Sequence, residues 1–95
     1  MLEPAGHCYR WAANFASKHP GAVVHHGTIQ FEQRAVLHAW VEWKGRVYDY
    51  QANVMGRAPM TLAAWYRKND PTTAARYRDE KALVLALKHG QWGPF

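Results

Sequence analysis

The segment Leu37-His38-Ala39-Trp40-Val41-Glu42-Trp43-Lys44-Gly45-Arg46-Val47-Tyr48-Asp49-Tyr50-Gln51 constrains the fold more than any other part of the chain. Two runs of β-branched and aromatic residues flank a short polar turn containing Gly45, which is the pattern of a β-hairpin. With Lys44-Gly45 as a two-residue loop, Trp43 stands opposite Arg46, Trp40 opposite Asp49 and His38 opposite Gln51. Successive side chains on a strand point to opposite faces, so His38, Trp40, Val47, Asp49 and Gln51 share one face. His38 and Asp49 are then diagonal neighbours, roughly 7 Å apart at the backbone. A three-residue loop would shift the register and put them on opposite faces. An imidazole beside a carboxylate is half of a catalytic constellation, and the single cysteine, Cys8, is the one candidate for the other half.

Upstream, residues 1–6 read as a lead-in in which Pro4 and Gly6 disfavour an earlier helix start. From His7 to about Lys18, Cys8, Trp11, Ala12, Phe15 and Ala16 recur at helical spacing, and Pro20-Gly21 ends the run. Cys8 would sit in the first turn, where unpaired N–H groups and the helix dipole favour a thiolate. Ala22–Gln30 reads as a strand, with Gly27 marking a bulge or a close backbone approach. Phe31–Arg34 reads as a turn, Ala35–Trp43 as a second strand and Arg46–Gln51 as a third. Short connections imply an antiparallel meander. Asn53–Pro59 reads as a loop, and Thr61 as the N-cap of a helix over Leu62–Lys68. Thr72–Tyr77 reads as irregular or extended. Asp79 is placed to cap a last helix ending near Lys88 or His89, with Leu83, Val84 and Leu87 as its apolar stripe and Gly90 as its stop. The run Ala82–Leu87 also fits a strand, since six apolar residues do not distinguish the two periods. The tail carries Trp92 and Phe95 and is expected to dock.

Ninety-five residues make a single domain, 1–95, with one modest core, and 48% hydrophobic content excludes a disordered chain. No apolar run reaches the roughly 20 residues of a membrane span, and no signal-peptide pattern opens the sequence. A soluble, cytoplasmic protein is the expectation, and one cysteine forms no internal disulfide. The fold class expected is α+β: an N-terminal helix packed on a three-stranded antiparallel sheet, with two C-terminal helices.

A cysteine nucleophile needs a base, and the base needs an acceptor that fixes its tautomer. Cys8, His38 and Asp49 supply those roles from a helix and two strands. The competing reading is a buried thiol and a surface His38–Asp49 pair.

Cys8-Tyr9-Arg10-Trp11-Ala12 at a helix start, His38-Ala39-Trp40-Val41-Glu42 on a strand and Tyr48-Asp49-Tyr50 on the next together resemble the papain-like and transglutaminase-like cysteine-enzyme superfamily. The resemblance covers about residues 6–51. It implies Cys8 as nucleophile, His38 as general base and acid, and Asp49 as orienter. It also implies a hydrolase of an amide or acyl bond (peptidase, amidase or deamidase, with acyl transfer second), a peptide or protein substrate and no cofactor. The residues before Cys8 contain no Gln or Asn to help stabilise an oxyanion. The donors would be the Cys8 N–H with Trp40, Gln51, Gln30 or a Tyr hydroxyl.

Two other chemistries fit less well. His25 and His26 are adjacent on a strand and face opposite ways, and no CxxC, HxH or HExxH spacing is present, so no metal site is expected. The net charge is +5, with seven Lys/Arg against three Asp/Glu in residues 53–95. Arg57, Arg67, Lys68, Arg76, Arg78, Lys81 and Lys88, interspersed with Trp65, Tyr66, Tyr77 and Trp92, outline a basic aromatic surface for nucleic acid. Aromatic residues at this density more often build a core, so nucleic acid is not the favoured partner. The rival to the enzyme is a small basic binding module, an inhibitor, adaptor or nucleic-acid binder without turnover.

Overall fold

The computed structural model describes residues 5–95, so the lead-in reading of residues 1–4 lies outside them. Helix α1 (Ala5–Ser17) precedes strands β1 (Val23–Phe31), β2 (Arg34–Trp43) and β3 (Arg46–Tyr48). Then come α2 (Tyr50–Val54), β4 (Met60–Thr61), α3 (Leu62–Asn69), β5 (Thr72–Arg78) and α4 (Lys81–His89). The strands form one antiparallel sheet in the order β4-β3-β2-β1-β5. The α+β class and the N-terminal helix are as expected. The described residues hold five strands rather than three, and α2 is an additional helix.

Both central hairpins close on two residues with positive φ: Glu32 (50°) with Gln33 (66°), and Lys44 (50°) with Gly45 (78°). Turns of this hand match the right-handed twist of the strands they join. The expected register holds through Trp43–Arg46, Glu42–Val47 and Val41–Tyr48, and there it stops. Asp49 leaves the ladder, and its Oδ1 accepts the Ala52 N–H at 2.8 Å to cap α2. A short acidic side chain offers the backbone a local bond that competes with sheet pairing. The expected pairings of Trp40 with Asp49 and of His38 with Gln51 are therefore not formed, and Gln51 lies on a helix.

The segment Thr72–Arg78, read as irregular, is the edge strand β5 paired to β1. Its exposed residues alternate with half-buried ones, and Arg76 and Arg78 are exposed at an edge that faces water. Gly27 marks both features expected of it. The β1–β5 register shifts between His26 and Gly27, and a Cβ on Gly27 would lie 1.9 Å from the Thr72 carbonyl oxygen. Asp79 does not cap α4. Its Oδ1 accepts the Gly21 N–H at 2.6 Å and its own N–H donates to the Ala22 carbonyl at 2.9 Å, tying the end of β5 to the start of β1. Thr61 does cap α3, accepting the Ala64 N–H at 3.3 Å, and Gly90 ends α4 with φ 72°.

The sheet is covered on both faces. On one, α1 and α4 bury Tyr9, Ala12, Ala13, Ala16 and Ala82 against Val24, Ala39 and Val41. On the other, α3 sets Trp65 against Trp40, Ile29 and Val47. The buried stripe of α1 is rotated from the expected one: Tyr9 and Ala13 lie at its centre, and Trp11 and Phe15 are half-buried on its flank. Alanines let a helix approach the sheet closely, and that approach leaves no depth for an indole. The same holds for α4, where Ala82 and Ala86 are buried while Val84 and Leu87 are exposed. The tail docks as expected, with the Phe95 ring against His26, Tyr77 and His89.

Gly27→Ala should destabilise the protein by about 2 kcal/mol or more, because the new methyl meets backbone rather than a movable side chain. Urea unfolding measures it; an unchanged midpoint would show that β5 does not pack this closely in solution.

Candidate functional site

Strand β2 distributes the candidate residues. Ala39 and Val41 face α1, whereas His38, Trp40 and Glu42 face α3. Cys8 is 4% exposed and packs in the cluster that holds Ala39 and Val41. His38 is 7% exposed, with its ring 6.1 Å from Trp40 and 6.4 Å from Trp65. The Cys8 and His38 side chains thus belong to opposite faces of the sheet. Helix α1 also begins at Ala5 and includes Gly6, so Cys8 lies at the end of the first turn instead of at its opening. The dipole effect invoked for the thiolate fades over that distance.

Asp49 acts on His38 through its charge alone: no hydrogen bond or ion pair joins the two among the described residues. Burial pushes the His38 pKa down, and the Asp49 charge opposes that shift. The Asp49 carboxylate is also structural, because Oδ2 accepts the Trp65 indole N–H at 3.1 Å while Oδ1 caps α2. One carboxylate therefore fixes α2, anchors the α3 indole and faces the buried imidazole. The suggested oxyanion donors do not converge on Cys8. Trp40 is fully buried on the α3 face, with its indole nitrogen towards the Tyr66 hydroxyl. Gln30 pairs with Ala35 near the hairpin tip, and Gln51 is exposed on α2.

A second polar cluster lies on the α3 face. His25 Nε2 is 3.4 Å from Glu42 Oε1, and His25 Nδ1 is 3.0 Å from Thr73 Oγ1. The Tyr66 hydroxyl donates to the other Glu42 oxygen. Burial lowers the His25 pKa most strongly; Glu42 opposes it and Arg76 reinforces it. A neutral ring that presents Nε2–H to Glu42 accepts from the Thr73 hydroxyl at Nδ1, and every member is then satisfied. Burial together with the Glu42 bond raises the Tyr66 pKa to about 12. Glu42 has the same strand parity as Trp40, which was the signal in the sequence for this cluster.

Side chains open to a ligand also line the flank of α1. A cleft of about 490 Å³ runs between α1, the end of β3 and α2, walled by Trp11, Phe15 and Tyr48, with Lys18 and Arg57 at its rim. Asn14 and Asn53 add amides, and Asp49 is the only carboxylate among the described residues that line it. Phe15 is held between Trp11 at 5.1 Å and His19 at 3.8 Å, with Tyr48 at 4.8 Å. Of the aromatic residues weighed for a surface in the C-terminal half, Trp65 is core, Tyr66 donates to Glu42, Tyr77 packs on His26 and Phe95, and Trp92 is half-buried beside Arg10. Among the described residues no group of three His, Cys, Asp or Glu side chains is arranged to hold a metal, and no helix is long and apolar enough to cross a membrane. No protein-family model, curated protein or solved structure matches the chain.

On the α1 face His26 sits between the rings of Tyr9 at 4.6 Å and Tyr77 at 4.9 Å, and neither of its ring nitrogens has a partner. Burial, reinforced by the neighbouring His25, lowers its pKa to about 4. This native ring stays neutral where the unfolded chain's histidine, with its pKa near 6.5, takes up a proton. The unfolded state binds more protons in that window, so stability falls as pH drops from about 6.5 towards 4. His26 alone should cost about 2 kcal/mol between pH 7 and pH 5, with His25 and His38 adding in the same direction. Urea midpoints across that range should fall in the wild type and fall less in His26→Phe. Equal slopes would show that His26 is not held neutral.

Proposed function

We propose that this chain is a small basic binding module whose ligand is anionic and occupies the cleft between α1, the end of β3 and α2. The observation that carries this reading is the composition of the cleft. Aromatic walls are bordered by Lys18 and Arg57, and Asp49, the one carboxylate among the described lining residues, already accepts from Ala52 and Trp65. An incoming anion meets cations without having to displace an ion pair, and the +5 net charge draws it in. Neither Cys8 nor His38 lines this cleft.

Lys18→Glu/Arg57→Glu should weaken binding of a heparin oligosaccharide at 50–100 mM salt about tenfold more than Arg34→Glu/Lys81→Glu. The control changes the charge equally at exposed sites elsewhere. Titration calorimetry on the two double variants decides it. Equal losses would mean that overall charge, and not this cleft, holds the anion.

A second reading rests on the Asp49 charge acting on the buried His38 imidazole, although Cys8 packs on the other face of β2. It is the thiol enzyme that the Cys-His-Asp order resembles. The Cys8 thiolate would attack an amide or acyl carbonyl, His38 would protonate the departing amine, and water would then hydrolyse the thioester. That chemistry requires sulfur and imidazole on the same side of β2. Iodoacetamide should therefore label Cys8 rapidly in the folded protein below pH 7, and His38→Ala should slow the labelling. Labelling only after denaturation rules this reading out.

A further inference from the structure

We infer that the anionic ligand of this module is single-stranded nucleic acid, with Trp11 standing as a partition between two successive nucleotides. The inference rests on the binding-module reading and names its ligand class. The cleft does not end at Trp11. A second hollow of about 280 Å³ lies on the far side, lined by His7, Arg10, Trp11, Asn14 and Tyr50. Trp11 and Asn14 line both hollows. The two hollows repeat one chemical theme. The first sets Tyr48 and the Phe15 ring stacked on Trp11 near Lys18 and Arg57; the second sets Tyr50 and the Trp11 indole near Arg10. An aromatic wall and a cation, twice in succession, match a polymer whose repeating unit is a flat base on a phosphate.

The partition is built to stay in place. Phe15 stacks on the Trp11 indole with 29° between the rings, and the His19 ring backs Phe15 at 8°. Arg10 lies 6.0 Å from the Trp92 ring, which keeps its guanidinium at the rim of the second hollow. Arg10 on α1 and Lys18 just past its end flank Trp11, one at each hollow. The shared Asn14 amide and Asn53 offer both donors and acceptors to base edges. An acidic peptide would satisfy the cations and leave the paired aromatic walls unused. A duplex would present its phosphates but keep its bases stacked inside.

Fluorescence anisotropy with a fluorescein-labelled ten-nucleotide oligo-dT, a ten-base-pair duplex and a polyglutamate competitor tests this at 50 mM salt. The single strand should bind at least tenfold tighter than the duplex and resist polyglutamate. Trp11→Ala should weaken it about tenfold or more, whereas Trp11→Phe should restore most of the affinity. Circular dichroism and a thermal melt check that Trp11→Ala folds. If it does not, Tyr50→Ala, at a residue that lines the second hollow and not the first, takes its place after the same folding check. Equal binding of single strand and duplex, or affinity unmoved by Trp11→Ala and Tyr50→Ala but removed by Lys18→Glu/Arg57→Glu, would overturn the inference and leave a cleft that reads charge alone. Failure of oligo-dT, heparin and polyglutamate to bind at all would overturn the binding-module reading with it.

Discussion

The alternation of side chains along β2 governs the rest of the molecule. Strand β2 is the middle of five, and each residue it sends to one face is withheld from the other. Ala39 and Val41 form the floor for α1, while His38, Trp40 and Glu42 form the floor for α3. The α3 face must therefore accommodate an imidazole, an indole and a carboxylate in one row. Trp65 fills the middle of that row, 5.0 Å from Trp40, and polar partners close both ends. Glu42 is met by His25 and Tyr66 at one end, and the Asp49 charge acts on His38 at the other. A buried polar group without a partner costs about 1–3 kcal/mol, which gives the Glu42 contacts a structural reason independent of any chemistry.

The cleft on the flank of α1 follows from residue size. Ala12, Ala13 and Ala16 bring the helix close to the sheet, and Trp11 and Phe15 are displaced to its side. There they meet Tyr48 at the end of β3, just before Asp49 turns the chain out of the sheet into α2. The cleft thus exists because β3 is short, and β3 is short because Asp49 caps a helix in preference to extending a ladder. Deleting that cap would act on the cleft wall, the Trp65 anchor and the surroundings of His38 together.

Three buried histidines have different surroundings. His25 has a partner at each nitrogen, His38 faces one carboxylate, and His26 has aromatic rings and no hydrogen-bond partner. Burial dominates in all three and favours the neutral form. A neutral imidazole in an aromatic niche acts as a flat packing unit, and His26 serves as one for Tyr9, Tyr77 and Phe95.

Much of the frame is legible in the sequence. Lys44-Gly45 determines a two-residue turn and thereby the register of β2 on β3, because few backbones join two strands so tightly. Thr61, Gly90 and Gly27 announce a cap, a stop and a close approach through constraints local to a few residues. That the Asp49 charge acts on His38 is legible for the same reason, even though it does so from a helix cap and not from a strand. What only tertiary structure decided is which face each helix covers and which stripe it buries. Periodicity marks an apolar side of α1 without choosing between Trp11 and Tyr9, and it does not say that α1 lies on the Ala39 side of the sheet. That choice puts Cys8 and His38 on opposite faces, and it depends on how closely an alanine-rich helix can approach strands tens of residues away, which no local pattern encodes.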